Sequence, residues 1–356
     1  MRIALTITLT IALLLLVVSP RLNTQVVQTP SGSLEFIGLK SWSAQQLWDS
    51  IYARYPDEGA HACMAVLREE FGFQDALVIL YPEGDSMRWV ALVSEEGDPN
   101  NPFVLERPPT SHPLDSTWRN LHDLFAEWRF LPQVASSSYP HHLKGMDETA
   151  WSVVNSWGQN LIPLGYEAEI AGIDSNMVKR VWRFWDELRS TEGRDQLLDI
   201  LSNEGNDTAR YMAAQALISF HDDMSVRQKL VEAFRDPNQN VGGNAAQVLE
   251  LWNKHFHEPV DWSSSIPTFR RVLGGEASSH IMTVMTLIMD SGDRTLGLKL
   301  LQDNTEFVLA MLGSQTSEIS QRAYEFLNAV SGQDFGMEGE DWREWIQETS
   351  SSRAVR

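Results

Sequence analysis

The chain has 356 residues, 43% of them hydrophobic, which is enough to pack two domains and excludes a globally disordered chain. Its 48 acidic against 28 basic residues leave a net charge of −20, which sets it against nucleic-acid backbones and anionic membrane surfaces. The single cysteine, Cys63, excludes an intrachain disulfide and any cysteine-based zinc site.

Arg2 is followed by a run of 16 uncharged residues, Ile3 to Val18, which is the pattern of a secretory signal. Val17-Val18-Ser19 with Pro20 behind it is a poor cleavage site. Residues 1–22 therefore read either as a cleaved signal peptide or as an uncleaved anchor, a membrane tether through residues 3–18. Both readings place the rest of the chain outside the cytoplasm, in the periplasm or anchored to the inner membrane. Gln25 to Ser33 is polar, holds Pro30 and Gly32, and reads as a spacer.

Leu34 to Leu39 is a strand candidate. Ser43 with Gln46 three positions on forms a capping box for a helix whose apolar face is Ala44, Leu47, Trp48 and Ile51. A second helix aligns Cys63, Val66, Leu67 and Phe71 and stops at Gly72. Two strands follow, Ala76–Tyr81 and Met87–Val93, around the turn Pro82–Ser86. Cys63, on the apolar side of its helix, reads as a buried thiol. The order β-α-α-β-β, with the strings LEFIGLKSWSAQQL and LREEFGFQDALVILY, resembles a POTRA domain over residues 34–95. That resemblance implies a sheet edge, Leu34–Leu39 or its neighbour, to which partner segments add by backbone pairing. Only one copy is present and no β-barrel follows, so outer-membrane insertion is not implied.

Residues 96–175 read as a linker with short helices. Pro99, Pro102, Pro108, Pro109 and Pro113 keep residues 97–113 extended. Ser116 or Thr117 caps a helix bearing Trp118, Leu121, Leu124, Phe125 and Trp128. Pro132 to Pro140 reads as a loop, and Trp151 to Leu161 as a short helix.

Residues 176–347 carry a repeat. A helix with Val178, Val181, Trp182, Trp185 and Leu188 leads into four helices whose apolar stripes begin at Ala209, Val241, Ile281 and Ile319, spaced by 32, 40 and 38 residues. Each is preceded by a shorter apolar helix whose last large residue, Leu201, Phe234, Leu273 or Leu312, lies 7 or 8 positions earlier. Helix pairs of this kind bury their wide apolar faces by stacking. The strings LVEAFRDPNQNVGGNAAQVLELW and DTARYMAAQALISF resemble HEAT repeats, with Gly242 where the family usually has arginine. The resemblance implies a binding scaffold. Arg210, Asn244, Gln321 and Arg322, off the apolar stripes, are the candidate partner-binding residues, and Trp342, Trp345 and Ile346 read as a closing cap.

The expected fold is thus an α+β N-terminal domain followed by an α-helical solenoid, and the expected function is an exported, non-catalytic scaffold that binds a protein partner. No catalytic, cofactor-binding or metal residue is assigned and no cofactor is expected. Two alternatives stand beside it. One is a metal-dependent hydrolase using His141 and His142 with Asp147 and Glu148. The other is a structural envelope component. His221, His255 and His257 lack the spacing that sets two imidazoles on one helix face.

Overall fold

The β-branched and aromatic runs near the N-terminus pair into one four-stranded sheet. In a computed structural model the described residues are 24–30, 32–56, 63–83, 86–95, 97, 100–109, 116–128, 131–145, 152–154, 161–163, 172–257, 260–301 and 305–354. The signal-like segment 1–22 lies outside them, as do Asp147 and Glu148 and the side chain of Cys63. The described chain is a small mixed sheet followed by many helices, an α+β arrangement. It divides into two compact units that do not follow chain order. One holds the described residues of 1–101, 270–281 and 297–356, and the other those of 102–269 and 282–296.

In the first unit the strands are β1 (Gln25–Thr29), β2 (Gly32–Ile37), β3 (Asp75–Glu83) and β4 (Ser86–Ser94), in the order β1-β2-β4-β3. β2 runs parallel to β4 and the other pairs are antiparallel, with Val27 opposite Leu34 and Leu80 opposite Trp89. β1 corrects the spacer expectation. Val26, Val27 and Thr29 suit a pleated strand, and Pro30 and Gly32 turn it back onto β2. Gly32 sits at φ +131°, where any Cβ would strike the Met87 carbonyl.

Helix α1 (Ala44–Arg54) starts at the Ser43–Gln46 capping box, and α2 is Cys63–Glu69. Ala44, Leu47, Trp48, Ile51, Val66 and Leu67 from these helices pack on Val27, Leu34, Phe36, Trp89, Ala91 and Val93 of the sheet. The opposite face carries Glu35, Ile37, Val90 and Leu92, all fully buried. There Ser278 Oγ donates to the Leu92 carbonyl (2.9 Å), and Phe307 presses against Gly38 and Gly275. A strand covered on both faces has no polar side to show, which is why β4 reads as one apolar run.

The second unit contains α3 (Ser116–Glu127), α4 (Leu131–Leu143), a two-stranded pair β5 (Ser152–Val154) and β6 (Leu161–Pro163), and α5 (Ser175–Glu187). Two readings are corrected here. The Pro132–Pro140 stretch is helix, and Ser152–Val154 and Leu161–Pro163 are strands where a helix was expected.

Helices occur where the apolar spacing puts them. They are α6 (Thr191–Asn203) with α7 (Asp207–Ala216), α8 (Met224–Glu232) with α9 (Gln239–Phe256), α10 (Ile266–Leu273) with α11 (Ile281–Ser291), and α13 (Thr305–Leu312) with α14 (Ser317–Ser331). An additional helix, α12 (Arg294–Leu301), separates the third pair from the fourth. The last described element is α15 (Gly339–Ala354), whose Trp342 and Ile346 are buried. Asn206, Asp223 and Asn238 cap α7, α8 and α9 with side-chain oxygens on free backbone N–H groups. Ala209, Ala213 and Ala245, all fully buried, let the second helices approach closely. Trp252 Nε1 donates to the Ile218 carbonyl (2.8 Å), and Gln215 Nε2 to Asn244 Oδ1 (2.8 Å).

Candidate functional site

The four candidate partner residues fall into two kinds. Arg210 is fully buried and serves the interior. Its guanidinium grips Asp236 bidentately (2.7 and 2.9 Å), donates to the Glu204 carbonyl (2.6 Å) and bonds Asp207 (2.8 Å). Asn244 is also buried, donating to the Asn240 carbonyl (2.6 Å) and accepting from Gln215. Both were expected to face a partner, and both instead join one helix pair to the next. A residue that is off the stripe of its own helix can still be covered by a neighbouring helix. Gln321 is exposed and Arg322 half-exposed on α14, where Arg322 lies 4.0 Å from Glu325.

The same unit sets α14 within electrostatic range of an edge of the sheet. Of the two expected places for a free edge, β2 lies between β1 and β4 and has none, while its neighbour β1 is an edge, as is β3. Leu77, Val78, Ile79, Leu80 and Tyr81 of β3 are each only half-buried, and among the described residues β3 pairs with β4 alone. Leu77, Ile79 and Tyr81 alternate to the sheet face that carries Glu35. The Tyr81 phenol is pushed up to about 12, first by burial and then by the Glu318 carboxylate, with Arg322 opposing. Glu35 is fully buried under that face. Its carboxylate accepts from Ser314 Oγ (3.0 Å), Gln315 N (2.7 Å) and Thr316 Oγ1 (2.8 Å), which fixes the turn leading into α14.

The second unit gathers four of the histidines noted separately in the sequence. His141 and His142 are consecutive on α4, so their side chains leave the helix about 100° apart. His142 turns to α5, where Nε2 meets Asp186 (2.8 Å) and the ring stacks on Trp182 (5.0 Å). Tyr139 donates to the same carboxylate (2.7 Å), and burial followed by that contact drives its phenol well above the usual range. His141 turns to α9, its ring 4.7 Å from His255, while Lys144 donates to the His255 carbonyl (2.5 Å). His221 stacks on Phe256 at 3.8 Å. Burial, aided by His141, Lys144 and Lys254, lowers His255 to about 4, and burial with Lys144 and Lys254 lowers His141 as well.

The geometry is that of contacts between helices. Among the described residues no three His, Cys, Asp or Glu side chains are placed to hold a metal ion. His141 and His142 point to different neighbours and do not converge on one. Asp186 and Tyr139, which complete the contact, gave no signal in the sequence because a carboxylate and a phenol on helix flanks usually face solvent.

No family model, curated protein or solved structure matches the chain. Among the described residues no single helix is long and apolar enough to cross a membrane.

Proposed function

We propose that this chain is an exported, non-catalytic scaffold of the cell envelope that binds a protein partner through its helix-pair surface and the adjoining sheet edge. The observation that carries the reading is the half-buried apolar edge strand β3, whose Tyr81 feels the charges of Glu318 and Arg322 on α14. An edge strand presents unpaired backbone donors and acceptors, and natural sheets normally blunt it with charge or cover. Leu77 to Tyr81 carries no charge and is only half-buried, and only Pro82 interrupts the run. A partner segment added to β3 gains backbone hydrogen bonds from the edge and side-chain contacts from Leu77, Ile79 and Tyr81. Gln321 and Arg322 then offer polar and cationic contacts on the flank. Stacking of α7 on α9 through Gln215 and Asn244 supports a HEAT-like array in the same scaffold. The resemblance of residues 34–95 to a POTRA domain supports edge pairing, and the uncharged run Ile3–Val18 supports export.

The test is fractionation of cells expressing the tagged full chain, with a photo-crosslinking residue placed at Arg322 or, as a control, at exposed Asp49 on α1. The expected result is an envelope-located protein with one reproducible adduct at 322, absent at 49 and lost in Ile79→Lys. A cytosolic protein overturns the export reading. Indistinguishable adducts at 322 and 49 overturn the binding surface.

A further inference from the structure

Residues 102–107 form neither helix nor strand and lie against the helices of the second unit in the manner of a bound peptide. The Leu105 amide donates to the Arg235 carbonyl (2.8 Å), and Arg235 Nε donates back to the Phe103 carbonyl (2.9 Å). Phe103 is the anchor, 1% exposed, with the Arg235 guanidinium 5.9 Å from its ring centroid. Four residues on, Arg107 reaches Asp207 (2.6 Å). One backbone–backbone hydrogen bond, one side-chain bond to a carbonyl, one buried aromatic and one terminal charge are the kinds of contact by which grooves hold peptide segments.

Apart from Phe103 the strap is open to solvent, and part of its seat is held by other residues. Asn101, Pro102, Leu105, Glu106 and Arg107 are exposed, and Leu105 shows 47% of its surface. The Arg107 side chain is 60% exposed, and an ion pair that open to solvent holds little. On the other side, Asp207 is also fixed by Arg210 (2.8 Å) and Asn238 (3.0 Å). The bidentate clasp of Arg210 on Asp236 fixes the turn that carries Arg235. Asp207 and the turn that carries the Arg235 carbonyl therefore have partners of their own outside the strap. Beside the strap lies a cleft of 210 Å³ between Leu105, Glu106 and Pro108 on one side and Leu201, Lys229 and Glu232 on the other. A side chain larger than leucine has room there.

We propose that this seat is a peptide-binding groove held closed in cis by residues 102–107. It takes an extended partner segment carrying an aromatic residue, an apolar residue two positions later and an arginine or lysine four positions later. Asp207, kept charged at the far end, selects the base. The proposal rests on the scaffold reading only in requiring a protein partner. Its site is separate from β3, and its test uses purified full-length protein, so localisation and adducts at 322 do not bear on it.

A fluorescent peptide of residues 100–109 is titrated by anisotropy against the wild type and against Phe103→Ser/Arg107→Ser. The doubly substituted chain is expected to bind at least about tenfold tighter, because its own strap no longer competes, and adding Asp207→Asn is expected to weaken that binding several-fold. Equal affinity for both proteins, or no binding to a substituted chain of unchanged circular dichroism, overturns the proposal. Amide exchange of the wild type tests it without substitution. The Leu105 amide is expected to exchange at least about tenfold faster than amides of α7 and α9, by local opening. Exchange of Leu105 only together with those helices shows a fixed part of the core and overturns it.

Discussion

At the scale of single residues, the buried charges carry more than the sequence suggested. Arg210 sits beside Ala209, off the apolar stripe, and a lone arginine in that position reads as solvent-facing. It is buried because the turn after α8 closes over it and supplies Asp236, whose side chain is only 8% exposed. Gly242 stands at the corresponding place on α9, so this rung is not repeated there. Removing one partner of a buried pair leaves the other uncompensated, which costs about 3–5 kcal/mol. Arg210→Ala is therefore expected to lower unfolding stability by about that amount in a urea titration, whereas Arg322→Ala, on the surface of α14, is expected to change it by less than about 0.5 kcal/mol. Equal effects would place Arg210 outside the interior. Glu35 behaves in the same way. Its three donors leave no lone role for Thr316 as a helix cap, and α14 indeed starts without a side-chain cap. Glu35→Ala strands those donors and is expected to cost about 2–4 kcal/mol by the same measurement.

At the scale of elements, periodicity was legible wherever a helix buries a broad stripe. The helices expected from the apolar spacing, and the helix at Ser175–Glu187, stand where that spacing put them. What escaped were elements whose own propensity opposes their conformation. α4 holds two prolines and three consecutive serines, residues that favour turns. Pro132 is tolerated in the first turn, where an N–H would be unpaired anyway. Ser137 and Ser138 satisfy their hydroxyls on carbonyls one turn back, at Gln133 (2.9 Å) and Val134. The deciding term is tertiary. Trp182 Nε1 donates to the Ala135 carbonyl (3.0 Å), Tyr139 packs edge-on against Trp185 at 5.1 Å, and Asp186 receives both Tyr139 and His142. Nothing within residues 131–143 encodes those partners, so the helix could not be read locally. Because α4 depends on α5 for its order, Tyr139→Phe is expected to cost about 1.5–3 kcal/mol, the range for a hydrogen bond to a charged group. It is also expected to speed amide exchange in α4 more than in α7. Uniform acceleration across both helices would show that the contact stabilises the unit as a whole and does not order α4 in particular.

At the scale of the whole molecule, the units are discontinuous: residues 270–281 and 297–356 belong with the N-terminal sheet. The sequence pattern shows which strands have two covered faces but not which helices supply the second cover. The candidate site was legible to the same degree. β3 stands out as an apolar run, and Gln321 and Arg322 as polar residues on α14. Their presence in one unit, linked through the field at Tyr81, is a property of the fold.

Acid stability is decided at this scale too, because each unit contains a histidine kept neutral. In one, His280 is 4% exposed, and burial lowers it to about 4 although Asp75 pulls the other way. In the other, His255 is lowered to about 4 by burial and nearby cations. An unfolded histidine titrates near 6.5. Above that pH neither state is protonated and the contribution is complete. Between about 6.5 and 4 the unfolded chain binds protons that the folded chain refuses, so stability falls as pH falls. Asp207, Asp223 and Glu95 are held below the usual carboxylate range. In each, hydrogen bonds outweigh the upward push of burial. Their contributions are lost in turn as pH drops through and below that range. Tyr81 and Tyr139 act at the other limit. Their raised values contribute fully below about 10 and are lost as pH rises beyond it. The urea midpoint is therefore expected to be flat from pH 7 to 9 and to fall steadily from 6.5 to 4.5. The combined substitution His255→Gln/His280→Gln is expected to reduce that fall when each protein is compared with its own midpoint at pH 7.5. A midpoint unchanged between pH 7 and 5 would show that these histidines take up protons in the folded chain as readily as in the unfolded one, and that neither helix contact excludes the charge.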